Sequence, residues 1–197
     1  MKKVLLLGDS IRMGYQRFVK EELADEYEVI FSAENGRFAA FTMWQVNQMF
    51  KHNDDIALVH WNNGYWDMNI EAPMQTAMHP IDEYVYFLRR IAEYIKAQNA
   101  KIIFATSTPI LKAGTAPDLT GTAGSLNFKN EWVTEYNAAA KKLMKELDIP
   151  VNDLYELLYD ESKNHYKCED RLHLSEEGSR RCAKRIAELI RKELKEE

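Results

Sequence analysis

The stretch of sequence that decides the fold is Val4-Leu5-Leu6-Leu7-Gly8-Asp9-Ser10. Four consecutive apolar residues are too few for a helix to be preferred, and they predict a strand buried on both faces. Gly8 ends this run, and the apolar residues after it have helical spacing. A serine at such a strand-to-helix turn lies at the carboxyl edge of a parallel sheet, where α/β proteins bind ligands. Ser10 is therefore a candidate nucleophile, although the three turn residues alone also fit an ordinary helix cap formed by Asp9 or Ser10.

The rest of the chain repeats the alternation of strands and helices. Further strands are predicted at residues 27–31, 56–61, 101–105 and from residue 149, and the clearest amphipathic helix covers residues 81–96. No internal repeat and no linker interrupts the pattern. We therefore predict one α/β domain over residues 1–197, with a five-stranded, mostly parallel sheet in a flavodoxin-like order.

Composition excludes several classes of function. The net charge of -5 argues against nucleic acid as the main partner, and no apolar run is long enough to span a membrane. The N-terminal apolar run is too short for a signal peptide, so we expect a cytoplasmic protein. Cys168 and Cys182 lack metal-ligand spacing and are predicted to be free thiols.

Two irregular segments connect predicted elements within this domain. Residues 106–125 form a long connection rich in Thr, Gly, Ala and Pro, which is a length at which loops are often functional, but the sequence leaves its role open. Residues 160–170 are polar and precede the last helix.

Polar residues and a glycine follow the predicted strands. Gly36 comes after the second strand, Asn62 and Asn63 follow the third, and Asp170 and His173 lie just before the last helix. In a flavodoxin-like order the first and third strands are neighbours. We therefore expect Ser10 and Asn62 to project into one crevice, with Gly36 on its opposite wall.

This set of residue types matches the requirements of acyl transfer. A serine hydroxyl needs a base, and histidine accepts protons near neutral pH. A carboxylate orients the imidazole, and Asp170 and His173 are close enough in sequence to meet on a tight turn. The oxyanion of the tetrahedral intermediate needs donors such as an asparagine amide or the N–H groups beside a glycine.

These motifs resemble the SGNH, or GDSL-type, hydrolases over essentially the whole chain. The resemblance rests on Gly8-Asp9-Ser10, Gly36, Asn62 and Asp170-Arg171-Leu172-His173, which occur in the family's order. It implies a three-layer α/β/α sandwich with Ser10 as nucleophile, His173 as base and Asp170 as the residue that orients the base. It also implies an oxyanion hole formed by the backbone N–H groups of Ser10 and Gly36 and the side chain of Asn62, and neither a metal nor an organic cofactor.

The third motif departs from the family pattern. The family has Gly-x-Asn-Asp where this sequence has His60-Trp61-Asn62-Asn63-Gly64. Aligning His60 with the family's glycine favours Asn62 as the oxyanion donor, and a shift by one residue makes Asn63 the donor instead. We interpret His60 as a core histidine, because it lies on a buried strand, and we expect His52, His79 and His165 at the surface.

Candidate substrate contacts cluster near these motifs, namely Arg37, Asn63, Tyr65 and Trp66. Tyr65 and Trp66 suit stacking on a sugar ring or ordinary packing, and Arg37 or Arg12 suits recognition of a polar or anionic group. We therefore expect a serine esterase that removes a small acyl group, acetyl in the first instance, from a carbohydrate or another hydroxylated small molecule. The alternatives are a lipase-like or thioesterase activity and a catalytically silent domain that binds a small molecule.

Overall fold

The computed structural model describes residues 1–71, 73–110, 114–116, 126–159, 166–168 and 170–195, without the side chains of 114–116, 126 and 127. Its strands are β1 (Lys3–Leu7), β2 (Glu28–Phe31), β3 (Ile56–Asn62), β4 (Lys101–Ala105), β5 (Gly114–Ala116), β6 (Leu126–Phe128) and β7 (Val151–Asn152). Its helices are α1 (Ser10–Glu22), α2 (Ala39–His52), α3 (Tyr65–Met68), α4 (Ile81–Ala97), α5 (Asn130–Glu146), α6 (Leu154–Leu158) and α7 (Glu176–Lys195).

Five strands form one sheet in the order β2-β1-β3-β4-β7, and every neighbouring pair is parallel. The predicted flavodoxin-like order is confirmed, and the sheet is wholly rather than mostly parallel. The apolar run that opens β1 is completely buried, as expected for a strand with helices on both faces.

The helices cover the sheet in two groups, as in a three-layer sandwich. α1 packs against α7, while α2 packs against α4 and α4 against α5. Right-handed crossovers place helices on opposite faces where the strand order reverses, which here is between β1 and β3. Leu7 of β1 pairs with Trp61 of β3, so the turns after both strands end side by side. That edge is where the site residues meet.

One part of the structure differs from the sequence prediction. β5 lies within the segment 106–125 that was predicted to lack regular structure, and it pairs with β6, just after that segment, as an antiparallel hairpin. Of that segment, residues 111–113 and 117–125 lie outside the described residues, as does His165. Among the helices that the structure describes, none has the length and apolar character needed to cross a membrane.

Candidate active site

The turn after β1 places Ser10 at the start of a helix. Gly8 has φ +141°, and a Cβ there would lie 2.1 Å from Asn62 Oδ1, so the turn requires glycine. Asp9 caps α1 by accepting a hydrogen bond from the Ile11 N–H at 2.9 Å. Ser10 is the first residue of α1, where backbone N–H groups have no partner within the helix. The Ser10 N–H therefore lies at the positive end of the helix dipole.

Ser10, His173 and Asp170 form a hydrogen-bonded chain. His173 Nε2 lies 2.8 Å from Ser10 Oγ, and His173 Nδ1 lies 2.7 Å from Asp170 Oδ2. The other carboxylate oxygen of Asp170 accepts the N–H groups of Leu172 and His173, both at 2.9 Å. The structure thus brings together the three residues that the sequence predicted to meet.

The electrostatics of this chain favour an ionised carboxylate. Partial burial alone would raise the pKa of Asp170, but the hydrogen bonds from the His173 ring and from two backbone N–H groups outweigh it and lower the pKa below its usual value. A charged Asp170 fixes the His173 tautomer that carries its proton on Nδ1, which leaves Nε2 free to accept the proton of Ser10 Oγ. The arrangement can therefore generate a serine nucleophile.

The other two predicted oxyanion donors already have partners. The Gly36 N–H donates to Gly8 O at 2.8 Å, and a Cβ on Gly36 would lie 2.5 Å from that same oxygen. Asn62 Nδ2 donates one hydrogen to Asp9 Oδ1 at 2.9 Å, while Tyr15 donates to Asn62 Oδ1 at 3.2 Å. The second Nδ2 hydrogen of Asn62 has no partner among the described residues. Their role as oxyanion donors stays a prediction.

Asn63 does not contact the space in front of Ser10, which corrects its prediction as a substrate contact. Its side chain is fully buried and accepts a hydrogen bond from Trp61 Nε1 at 2.7 Å. It donates to Arg37 O at 3.0 Å and to Thr42 Oγ1 at 2.9 Å. These bonds use its hydrogen-bonding capacity inside the protein, where it holds the segment after Gly36 against β3.

A cavity of about 510 Å³ lies in front of Ser10 and His173. Besides these two residues, its lining consists of Asn35, Arg37, Phe38, Tyr65, Trp66, Asn69, Glu71, Met78, Phe128 and Leu172. The predicted contacts Arg37, Tyr65 and Trp66 are therefore at the cavity. The Tyr65 hydroxyl donates to Thr108 O and its ring meets Phe128 edge to face, so Tyr65 presents its ring rather than its hydroxyl.

Three buried polar groups were missed or misread by sequence reasoning. Arg12, a candidate for anion recognition, is fully buried and bonds to backbone carbonyls. His79, expected at the surface, is mostly buried, and its Nδ1 lies 2.8 Å from the buried Asp67 Oδ1. Lys167 is buried behind the segment that carries Asp170 and His173. No periodic pattern marks such residues, because tertiary contacts alone decide their burial.

His60 lies in the core, as the sequence predicted. It is fully buried on β3, and Asn152 Nδ2 lies 3.2 Å from its Nε2. Burial lowers the pKa of His60 to about 3, so the ring is neutral at physiological pH. In the described ranges, no group of three or more His, Cys, Asp or Glu residues is placed to hold a metal ion.

Comparisons with known proteins agree with this geometry. A family model described as "GDSL-like Lipase/Acylhydrolase family" matches residues 6–181. The "GDSL esterase/lipase WDL1" of Oryza sativa subsp. japonica is 28% identical over 115 residues, which cover 57% of this chain and only 44% of the rice protein. The "Isoamyl acetate-hydrolyzing esterase 1 homolog" of Mus musculus is 25% identical over 190 residues, covering 90% of this chain and 76% of the mouse protein.

A solved structure shares the fold. The lipase/acylhydrolase from Enterococcus faecalis superposes with a TM-score of 0.79 at 19% identity, and the match covers 98% of this chain and 97% of that one. The family model covers the end of β1 with the turn after it, the other four strands of the sheet and the segment that carries Asp170 and His173. The chain therefore belongs to the GDSL-like lipase/acylhydrolase family, the SGNH hydrolases.

Proposed function

We propose that the protein is a serine esterase that removes a small acyl group from a carbohydrate or another hydroxylated small molecule. The acyl group that we propose is acetyl. The observation that carries this proposal is the hydrogen-bonded chain Ser10–His173–Asp170, which opens onto a cavity at a helix N-terminus. Family membership supports ester hydrolysis, and the substrate is inferred from the site itself.

In the first step, Ser10 Oγ attacks the ester carbonyl carbon while His173 Nε2 accepts the hydroxyl proton. The new C–O bond converts the carbonyl into a tetrahedral oxyanion. Asp170 stays ionised and stabilises the imidazolium that forms. Because Oγ and Nε2 are 2.8 Å apart, this proton transfer needs no rearrangement of either side chain.

The oxyanion needs donors beside Ser10. The Ser10 N–H at the start of α1 supplies one, and a second is the Asn62 Nδ2 hydrogen that has no partner within the part of the chain that the structure describes. The Gly36 N–H becomes a third donor when it turns from Gly8 O towards the substrate. Each such donor typically lowers the barrier by about 3 kcal/mol.

Collapse of the intermediate releases the alcohol, which takes a proton from His173 and leaves an acyl ester on Ser10. Water then attacks this ester, with His173 again accepting a proton. The second tetrahedral intermediate expels Ser10 Oγ, which regains its proton, and the carboxylic acid leaves. The nucleophile, the base and the proposed oxyanion donors of this cycle all belong to this chain, and water is the second reactant.

Two features support an acetyl ester of a hydroxylated alcohol. The mouse relative carries a name that refers to an acetate ester. The cavity combines the ring faces of Tyr65 and Trp66 with the Asn69 carboxamide, whose Oδ1 has no partner among the described residues. An unpaired buried amide and adjacent aromatic rings suit a sugar, which offers hydroxyl groups and an apolar ring face.

Lipase-like or thioesterase activity is the second candidate, because Phe38, Met78, Phe128 and Leu172 give part of the cavity an apolar wall. The two candidates differ in their preferred acyl chain. An acetylesterase prefers two-carbon over eight-carbon acyl groups, and a lipase-like enzyme has the reverse order. A catalytically silent binding domain would hydrolyse neither.

The test measures hydrolysis of p-nitrophenyl esters from acetate to octanoate, and of a peracetylated monosaccharide. We expect Ser10→Ala and His173→Ala to lose activity by about 10⁴-fold or more while keeping the wild-type circular dichroism spectrum. His52→Ala, at an exposed histidine on α2, is the matched control and keeps full activity. Activity retained in folded Ser10→Ala would refute the serine mechanism, and a preference for octanoate would refute the acetyl ester.

A further inference from the structure

Arg12 is a buried arginine next to the proposed nucleophile. It lies two residues after Ser10 on α1 and is fully buried. Its guanidinium donates to Gly8 O at 3.2 Å, to Ser32 O at 2.9 Å and to Glu34 O at 2.6 Å. One side chain therefore joins the end of β1 to the segment that follows β2.

The described hydrogen-bond partners of this cation are neutral oxygens. Besides the three carbonyls, Arg12 Nη1 donates to the side-chain oxygen of Gln16. Burying a guanidinium carries a large desolvation cost, and a hydrophobic side chain of similar size avoids it. A planar fork of five donors is, however, the side chain that can satisfy several carbonyls in fixed directions at once.

Two groups donate to Gly8 O, and this shared acceptor links Arg12 to the oxyanion site. The Gly36 N–H reaches Gly8 O at 2.8 Å, and Arg12 Nη2 reaches it at 3.2 Å. The same Arg12 nitrogen holds Glu34 O, two residues before Gly36. If the Gly36 N–H turns towards an oxyanion, Gly8 O keeps the Arg12 bond and is not left as an unpaired buried carbonyl.

We infer that Arg12 is a positioning residue of the esterase reaction: it holds Gly8 O and the 32–34 segment so that the Gly36 N–H can leave Gly8 O and bind the oxyanion. The inference rests on the proposed function. It concerns the tetrahedral intermediate and not the bound ester, because the Gly36 N–H is needed only when negative charge develops. Arg12 therefore acts on kcat and leaves KM nearly unchanged.

The test compares Arg12→Lys and Arg12→Met with wild type, using p-nitrophenyl acetate. Lysine keeps the charge but cannot reach three carbonyls with fixed geometry. We expect kcat to fall by about 10- to 100-fold in both variants, with KM within about threefold, because the Gly36 N–H is displaced and not removed, and outright loss of one donor costs about 100- to 1000-fold. The pH dependence of kcat/KM keeps its wild-type midpoints, because neither variant touches the hydrogen bonds of His173. Rates are expressed per active site titrated with diethyl p-nitrophenyl phosphate, so that unfolded protein does not count.

Two further variants keep the result interpretable. Arg17→Lys changes an exposed arginine on the same helix, and its kcat should equal that of wild type. Gln16→Met removes the side-chain partner of Arg12 without removing the guanidinium, and we expect a smaller fall in kcat with unchanged KM. This variant decides the matter if Arg12→Lys and Arg12→Met do not fold.

The outcomes separate this inference from the proposed function. The role of Arg12 is overturned if wild type is active and the folded Arg12 variants have the same kcat per titrated site. If those variants do not fold, an unchanged kcat in Gln16→Met has the same meaning. Either result leaves the esterase assignment intact. An equal rise in KM and fall in kcat/KM also overturns the role of Arg12, since that points to substrate binding. A wild type that resembles Ser10→Ala overturns both.

Discussion

Asn62 and Asn63 are neighbours in sequence but serve opposite faces of the sheet. Successive side chains of a strand point to opposite sides, so Asn62 meets Asp9 and Tyr15 beside α1 while Asn63 meets Thr42 on α2. The sequence alone leaves the choice between them open, because sliding the motif by one residue fits either. The pleat of β3 favours Asn62, since its amide nitrogen lies beside the residue that caps the helix of Ser10.

The two asparagines give a matched pair of variants. We expect Asn62→Ala to lower kcat for p-nitrophenyl acetate by about 100-fold, because one oxyanion donor is lost, with a smaller change in KM. Asn63→Ala should keep kcat within about threefold and instead lower the free energy of unfolding by about 1–3 kcal/mol, because Trp61 Nε1 and Arg37 O lose a buried partner. Steady-state kinetics and urea denaturation measure both effects. The reverse pattern would assign the donor role to Asn63.

Other single residues show why motifs predict some positions and not others. The three residues of the hydrogen-bonded chain were predicted because their chemistry and order are specific. Arg12 and Arg37 carry the same side chain beside two site motifs, yet one is buried under α1 and the other lines the cavity. Only the packing of β2 against β1 separates them, and that packing is a long-range property.

At the level of elements, a buried lysine holds in place the segment before α7 that carries Asp170 and His173. Lys167 Nζ donates to Leu172 O at 2.8 Å and to Thr108 Oγ1 at 2.7 Å. These bonds tie the segment to the chain that follows β4. The Cys168 N–H also donates to His173 O at 2.8 Å, which closes the turn. The position of the His173 ring thus depends on a contact between two segments far apart in sequence.

Replacement of this lysine tests that dependence. Lys167→Met keeps the length of the side chain and removes both hydrogen bonds, so we expect kcat/KM to fall by about tenfold as the His173 ring loses its fixed distance to Ser10. Lys184→Met, at an exposed lysine of α7, is the control and keeps the wild-type value. Equal kcat/KM in folded Lys167→Met and wild type would show that the turn holds itself without the lysine.

The regular elements were the most predictable part of the fold. The runs of apolar residues in β1, β3 and β4 and the spacing in α4 predicted these elements to within one or two residues. The β5–β6 hairpin was missed, because two three-residue strands joined by a polar segment have no periodicity of their own. Asn130, the first residue of α5, accepts a hydrogen bond from the backbone N–H of Ile110 at 2.8 Å, a contact that sequence spacing does not reveal.

At the scale of the whole molecule, the buried ionisable groups determine how stability responds to pH. Burial raises the pKa of Asp9 and of Asp67, which favours their protonated forms in the folded state. Those two groups therefore stabilise the fold as the pH falls towards their unfolded pKa. His60 acts in the opposite direction, because its folded pKa of about 3 lies far below its unfolded value of 6.5. Between these two pKa values the unfolded chain binds a proton at His60 and the folded chain does not.

His60 should therefore make the protein sensitive to acid. As the pH falls from 7 to 4.5, protonation of His60 in the unfolded state alone lowers the free energy of unfolding by about 2–3 kcal/mol. His60→Gln removes this term and keeps an acceptor for Asn152 Nδ2, so its stability falls less over that range by about the same amount. Urea denaturation at both pH values measures the difference, with His52→Gln, at an exposed position, as the control. Equal losses of unfolding free energy in wild type and His60→Gln would contradict this prediction. They would mean that the folded protein also protonates His60, because acid lets water reach this position without unfolding the molecule.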